Sequence, residues 1–219
     1  MREIKKKQTA LVLVGAFNPA VYQPWWFEMN KLVGSGTANA AEIKIVHDQV
    51  TQFSMGWAEI QVTQNRFTIG TSDESREEAL IDLARSTCLL THDAISAFGI
   101  NTATHFTVED DAMLDKIGHS LVPKDYAWKG ILKEPKTHTV VVQEAHSDAT
   151  PGLLSIRIEG SVLYRPGIFV GLNDHFETAD KATGKPIASS KAMKLLDEQW
   201  PSTMTKSREI VAKLMDTLK

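Results

Sequence analysis

The sequence predicts an α+β protein, a mostly antiparallel sheet with helices on one side. It reads as two pseudo-repeated halves, each a strand, a helix, three or four strands and a helix. Three observations lead there. Residues 58–63 and 154–158 alternate strictly: Ala58, Ile60 and Val62 against Glu59, Gln61 and Thr63, and Leu154, Ile156 and Ile158 against Ser155, Arg157 and Glu159. Such a period of two marks a strand with one buried and one wet face. Residues 75–93 carry apolar positions at helical spacing behind an acidic start. Third, the order of elements after residue 96 resembles the order before it. The halves divide at 1–95 and 96–219 and share one core, which a chain of 219 residues is long enough to bury without covalent staples.

The first element is a strand at residues 11–17. The start, "MREIKKKQTALVLVGAF", places a basic run before a short apolar one, as a secretory signal does. The apolar stretch is too short to span a bilayer, and "NPAVYQPWWF" follows where small residues would mark a cleavage site. Pro24 then opens a helix with Trp25, Trp26, Met29, Leu32 and Val33 along it, ending at "GSGTANA". Strands are expected at 41–47, 50–55, 57–63 and 66–71, the last two joined by a turn at Gln64-Asn65.

The long helix follows, with Ser75 and Glu78 in capping-box positions, Glu77 and Glu78 at the positive end of its dipole, and Leu80, Ile81, Leu83, Ala84, Thr87, Cys88 and Leu90 toward the core. The second half starts with a strand at 97–106. A helix at 108–119 turns Ala112, Met113 and Ile117 to one side, and an irregular stretch at 121–135 has room for a short strand or helical turn. Strands are expected at 136–144, 153–160 and 167–172. A polar loop at 178–191 precedes a last helix after Pro201, with Ile210, Val211, Leu214, Met215 and Leu218 on its apolar face.

"FTIGTSD" (67–73) and "IFVGLND" (168–174) are the most similar pieces of the two halves: an apolar run, a glycine and a tail ending in aspartate. Gly70 eases the exit of the first copy, and Asp73 or Ser75 caps the helix behind it. No helix follows the second copy at once, so Asn173, Asp174 and His175 stand out as a candidate binding feature.

The order strand, helix, antiparallel strands, helix, twice over, resembles the duplicated TATA-binding-protein-like fold and is similar to the repeats of sliding clamps. The resemblance covers most of the chain and is one of topology. "AISAFGIN" (94–101) and "GIFVGLNDHF" (167–176) also resemble segments of a sporadically distributed group of uncharacterised bacterial proteins, which implies no activity.

Chemistry is sparse. The only cysteine, Cys88, sits in an apolar helical pattern and reads as a small buried hydrophobe, one turn before His92. His47-Asp48, His92-Asp93 and Asp174-His175 are the residue types that hold divalent metals. Neighbours in a strand point to opposite faces, and no HExxH or other local chelate occurs, so no metal and no cofactor are expected. No P-loop or nucleophile elbow is present.

A formal charge of -3 argues against an electrostatically driven nucleic-acid binder, as do the carboxylates Glu59 and Glu159 on the wet strands. These observations describe a cytoplasmic, non-enzymatic binding or accessory protein working through protein–protein contacts. Nucleic-acid binding by the sheet face and metal-dependent hydrolysis by His-Asp pairs are the rival readings. Candidate contact residues are Trp25 and Trp26, which cannot both face one core with Tyr22 and Phe27, and Glu59, Gln61, Arg157 and Glu159 on the wet sheet face. Pairing through sheet edges would make a homodimer natural.

Overall fold

The computed structural model describes residues 3–147, 149–180 and 182–217. In chain order its elements are β1 (Glu3–Gly15), α1 (Pro24–Met29), β2 (Glu42–Val46), β3 (Val50–Met55), β4 (Ala58–Thr63), β5 (Arg66–Thr71), α2 (Glu77–Thr91), β6 (Ala94–Thr107), α3 (Asp111–Leu121), β7 (Thr139–Ala145), β8 (Gly152–Gly160), β9 (Gly167–Glu177), β10 (Ile187–Ala188) and α4 (Ser189–Thr217). All the strands join one open sheet in the order β2-β3-β4-β5-β1-β6-β9-β8-β7, with the short β10 beside β6. Every pairing is antiparallel. This is the α+β architecture the alternating strands predict.

One face of the sheet carries all four helices. Leu11, Leu13, Ile60, Phe67, Ile69, Phe98 and Ile100 from the strands meet Leu80, Ala84, Cys88, Met193, Leu196 and Trp200 from α2 and α4 in the main core. A second cluster forms where Ile117 of α3 and Val211 of α4 meet Phe106, Ile158, Ile168 and Val170. Each such Leu, Ile or Phe contributes about 1.5–3 kcal/mol relative to exposure. The helix-side positions form a continuous apolar layer because antiparallel register aligns the buried parity of every strand. Leu11 pairs with Ile69 and Ile100, and Leu13 with Phe67 and Phe98.

Several elements depart from the sequence expectation. β1 begins at Glu3, so the basic run is strand: Lys7 reaches Glu74 at 2.8 Å, and Lys6 pairs with His105. α1 stops at Met29. Lys31 takes a left-handed φ of 57°, and the Glu28 carboxylate accepts the N–H groups of Gly36 and Ala38, turning the chain away from the helix axis. The Ser75–Glu78 capping box is not used. Asp73 accepts from the Ser75 N–H at 2.9 Å and caps a single 3₁₀ turn that leads into α2. Leu90 is exposed rather than core-facing, and on α3 it is Leu114, not Ala112, that packs beside Met113 and Ile117. Residues 122–138 contain turns but no regular element.

The largest differences are in the last third. β9 runs on to Glu177, absorbing the Asn-Asp-His tail into the sheet. α4 starts at Ser189, with Pro201 inside it rather than before it. Val211 is buried and Leu214 and Met215 pack against the second cluster, whereas Leu218 lies outside the described residues.

Candidate functional site

The face opposite the helices carries no helix among the described residues, and register arranges its side chains in rows that cross the strands. One row reads Glu42, Ser54, Glu59, Gly70, Ala10, Asn101, Asn173, Ser155, Gln143 from edge to edge. A second reads Ile45, Gln52, Gln61, Thr68, Val12, Gly99, His175, Leu153, Ala145. A shorter third runs Gln8, Ala103, Gly171, Arg157, Val141. With strands about 4.8 Å apart, a full row spans roughly 40 Å.

The centre of this face is made of small residues. Ala10, Gly70, Ala103 and Gly171 leave two depressions of about 180 and 400 Å³ that share Gln8 and Ala10. Gln61, Gln52, Lys44 and Glu59 line one; Asn101, Asn173, Ser155 and Arg157 line the other. Gly70 lies one residue before the end of β5, whereas Gly171 lies well inside β9. They flank the two central strands on the open face, where the missing side chains deepen the trough.

Polar capacity on this face is largely uncommitted. Asn173 donates its amide to Asn101 at 2.7 Å, and Asn101 donates to the Gly99 carbonyl at 3.1 Å. Among the described residues, the side chains of Gln8, Gln52, Gln61 and Ser155 have no hydrogen-bond partner. The charges are mixed: Glu159 is held by Arg157 at 2.6 Å, while Glu59 shares its depression with Lys44.

Beyond this trough, Lys6, His105, Phe169, Glu159 and Thr139 form a fourth row. His105 is only 5% exposed, roofed by Ser161, Tyr164 and Phe169. The Ser161 hydroxyl accepts from the N–H groups of Leu163 and Tyr164, so its own proton points to Nδ1 of His105 at 2.9 Å and the ring is the neutral Nε2–H tautomer. Burial, and then the nearby Lys6 charge, hold this imidazole below the usual histidine range.

The sequence-derived candidates thus separate into three places. Glu59, Gln61, Arg157, Glu159, Asn173 and His175 share the open face. Trp25 stands apart on the helix layer, 56% exposed beside Met29, while Trp26 is partly buried against Tyr22 and Phe27. Asp174 is the correction of most consequence. Its parity is opposite to that of its neighbours, so it points into the protein beneath α4 and is 3% exposed. Thr203 donates to one carboxylate oxygen at 2.6 Å, and Nε2 of His146 lies 2.7 Å from the other. His146 stacks on Phe176 with ring centroids 4.8 Å apart. The partner of Asp174 is therefore His146, which carried no local sequence signal.

The other His-Asp pairs are occupied locally. Asp93 accepts from Tyr22 at 2.5 Å and from Thr91, and burial with that carboxylate pushes the Tyr22 phenol far above its usual range. His92 caps α2 with a left-handed φ of 52° and is exposed, and His47 pairs with Asp48 in the β2–β3 turn. Among the described residues no group of three or more His, Cys, Asp or Glu side chains is placed to hold a metal. Cys88 is 1% exposed, and burial pushes its thiol well above the normal range, the opposite of what a thiolate nucleophile requires.

A further cavity of about 250 Å³ lies on the helix side between β1, β6, α2 and α4. Several of its polar groups are paired with one another. Glu77 accepts from Thr9 at 2.8 Å and from Arg208 at 2.5 Å, and Thr102 meets Ser207 at 2.5 Å.

The fold and its open face define an α+β scaffold that presents a broad polar sheet surface. No protein-family model matches the chain, and no curated protein matches it. Among the described residues no helix is long and apolar enough to cross a membrane.

Proposed function

We propose that this chain is a cytoplasmic, non-enzymatic binding protein that lays an extended segment of a protein partner across its open sheet face. The observation that carries the reading is the open face as a whole: a polar row runs from edge to edge with small residues at its centre, and in the rows beside it Gln8, Gln52 and Gln61 have no hydrogen-bond partner among the described residues. Glutamine and asparagine amides both donate and accept, as the peptide backbone of a bound segment requires. The small central residues let that backbone approach the sheet. Mixed charge favours a protein over a nucleic acid, whose affinity rests on Lys and Arg neutralising phosphates. Asp174 is spent inside the protein on Thr203 and His146, and Cys88 is buried with its thiol held protonated, which supports a binding role for these residues' surroundings over a hydrolytic one.

The reading is tested with photo-crosslinking residues at Gln61, at Asn173 and at Glu198 on the exposed side of α4. Crosslinking in cells is expected to trap the same protein from positions 61 and 173 and not from 198. Capture from 198 alone would move the site to the helix layer. Salt-sensitive retention on heparin, lost when Arg157 and Lys44 become glutamine, would replace the protein partner by a nucleic acid.

A further inference from the structure

The two free edges of the sheet are built differently. β2 is five residues long, all exposed, with a register irregularity between Ile43 and Ile45 that bulges Lys44 out of the ladder. Bulges and lysines are the devices by which edge strands resist pairing with another chain. β7 has neither. It is seven residues, Thr-Val-Val-Val-Gln-Glu-Ala, in unbroken register with β8 from Thr139↔Glu159 to Ala145↔Leu153. It contains no lysine, no proline and one charge, and Val141 and Val142 are 53% and 56% exposed. A long, regular, valine-rich edge is the kind that recruits another strand.

We propose that β7 pairs with β7 of a second copy of this chain, antiparallel about a twofold axis at Val142, joining the two sheets into one. The occupant follows from the strand itself. The N–H of His146 bonds the Gly152 carbonyl inside the sheet at 3.0 Å. By the two-residue period, Val140, Val142 and Glu144 also point their backbone groups at β8. Thr139, Val141, Gln143 and Ala145 point theirs outward. A register centred on Val142 is the one in which all seven residues find a partner. It sets Val141 against Gln143 and Thr139 against Ala145 as hydrogen-bonded pairs, Val142 against itself, and Val140 against Glu144.

That ladder supplies up to about eight backbone hydrogen bonds, close to the ~10 of a typical specific interface. Its only charges, the two Glu144 carboxylates, lie opposite valines rather than each other. Lys206 of α4 already holds Glu144 at 3.0 Å, so no unpaired charge is brought to the junction. A twofold, self-complementary contact is also the commonest way for identical chains to associate. The inference is independent of the reading of the open face, since it rests on backbone groups at the edge.

Sedimentation equilibrium of the full chain over micromolar concentrations tests it, with twice 24.3 kDa as the expected mass. Gln143→Pro removes an outward N–H and leaves the β8 ladder intact, and should weaken the dimer at least about tenfold while leaving the melting temperature unchanged when both proteins are diluted to monomer. Val142→Lys and Val142→Glu each place like charges across the axis and should give monomers, and mixing the two should restore a dimer. Val142→Cys should form a disulfide-linked dimer on oxidation, since the only other thiol, Cys88, is buried. A chain that stays monomeric at every concentration overturns the proposal. So does a dimer indifferent to Gln143→Pro and Val142→Lys, or a failure of the mixed lysine and glutamate variants to pair.

Discussion

Asp174 shows how one side chain can be read correctly as unusual and wrongly as exposed. An aspartate in the middle of an apolar strand needs a reason, and the reason is internal: it anchors Thr203 of α4 and His146 to the back of β9. Removing one member of such a buried pair leaves the others unsatisfied. Asp174→Ala is therefore expected to cost about 3 kcal/mol in urea unfolding, and Asp174→Asn, which keeps an acceptor for Thr203, about half that. His105 makes a prediction about pH. Its folded form favours the neutral ring, with the proton-accepting Nδ1 already used by Ser161. A depressed folded value means its contribution is present above the unfolded histidine value, near 6.5, and is lost as pH falls toward the folded one. Stability measured between pH 7 and 5 should fall, and His105→Gln should flatten that acid limb.

At the scale of elements, legibility tracked periodicity. β4 and β8 were legible on both faces because Ala58-Ile60-Val62 and Leu154-Ile156-Ile158 alternate without interruption, and their outward partners Glu59, Gln61, Arg157 and Glu159 were placed on the right side. Elements whose polar residues serve the interior were misread. The end of β9 looked like a loop because Asp174 is polar although buried. The first half of α4 was hidden by Pro201, a signal that ends helices more often than it sits inside them, even though Ala192, Met193, Leu196 and Trp200 carry the helical spacing. The rows across the sheet were not legible at all, since register between strands far apart in sequence depends on pairings that no local pattern reveals. Pro201 supplies the test at this scale. It is exposed and removes one N–H from the helix ladder, so Pro201→Ala should raise stability by about 1–3 kcal/mol, read as a higher melting temperature.

For the whole molecule the decisive fact is asymmetry between faces: among the described residues four α-helices lie on one side and none on the other. Gly99 lies at the middle of the open face, and a methyl group there would meet the Asn101 and Asn173 amides at 3.5 and 3.6 Å, ordinary contact distances. Gly99→Ala should leave stability within about 1 kcal/mol of the parent while reducing capture at positions 61 and 173. A fold variant would do the reverse. Gly152 is such a position, because a side chain there would strike the His175 carbonyl at 1.9 Å, and Gly152→Ala should lower the melting temperature and leave little folded protein.

The central pairing of β1 with β6 also has a consequence for how the chain is made. β1 finds β5 as soon as residue 71 is available, but its other side waits for β6, which is complete only at Thr107, 36 residues later. At about 5–20 residues per second, a ribosome leaves that side open for roughly 2–7 s. Through this interval the middle strand of the finished sheet is an edge, with Leu11 and Leu13 awaiting half of their neighbours. The lysines at positions 5, 6 and 7 lie on that temporary edge, where they discourage a nascent chain from pairing with the one beside it. In the finished sheet the same lysines belong to β1 and lie beside β6, so their value against mispairing is greatest before β6 arrives.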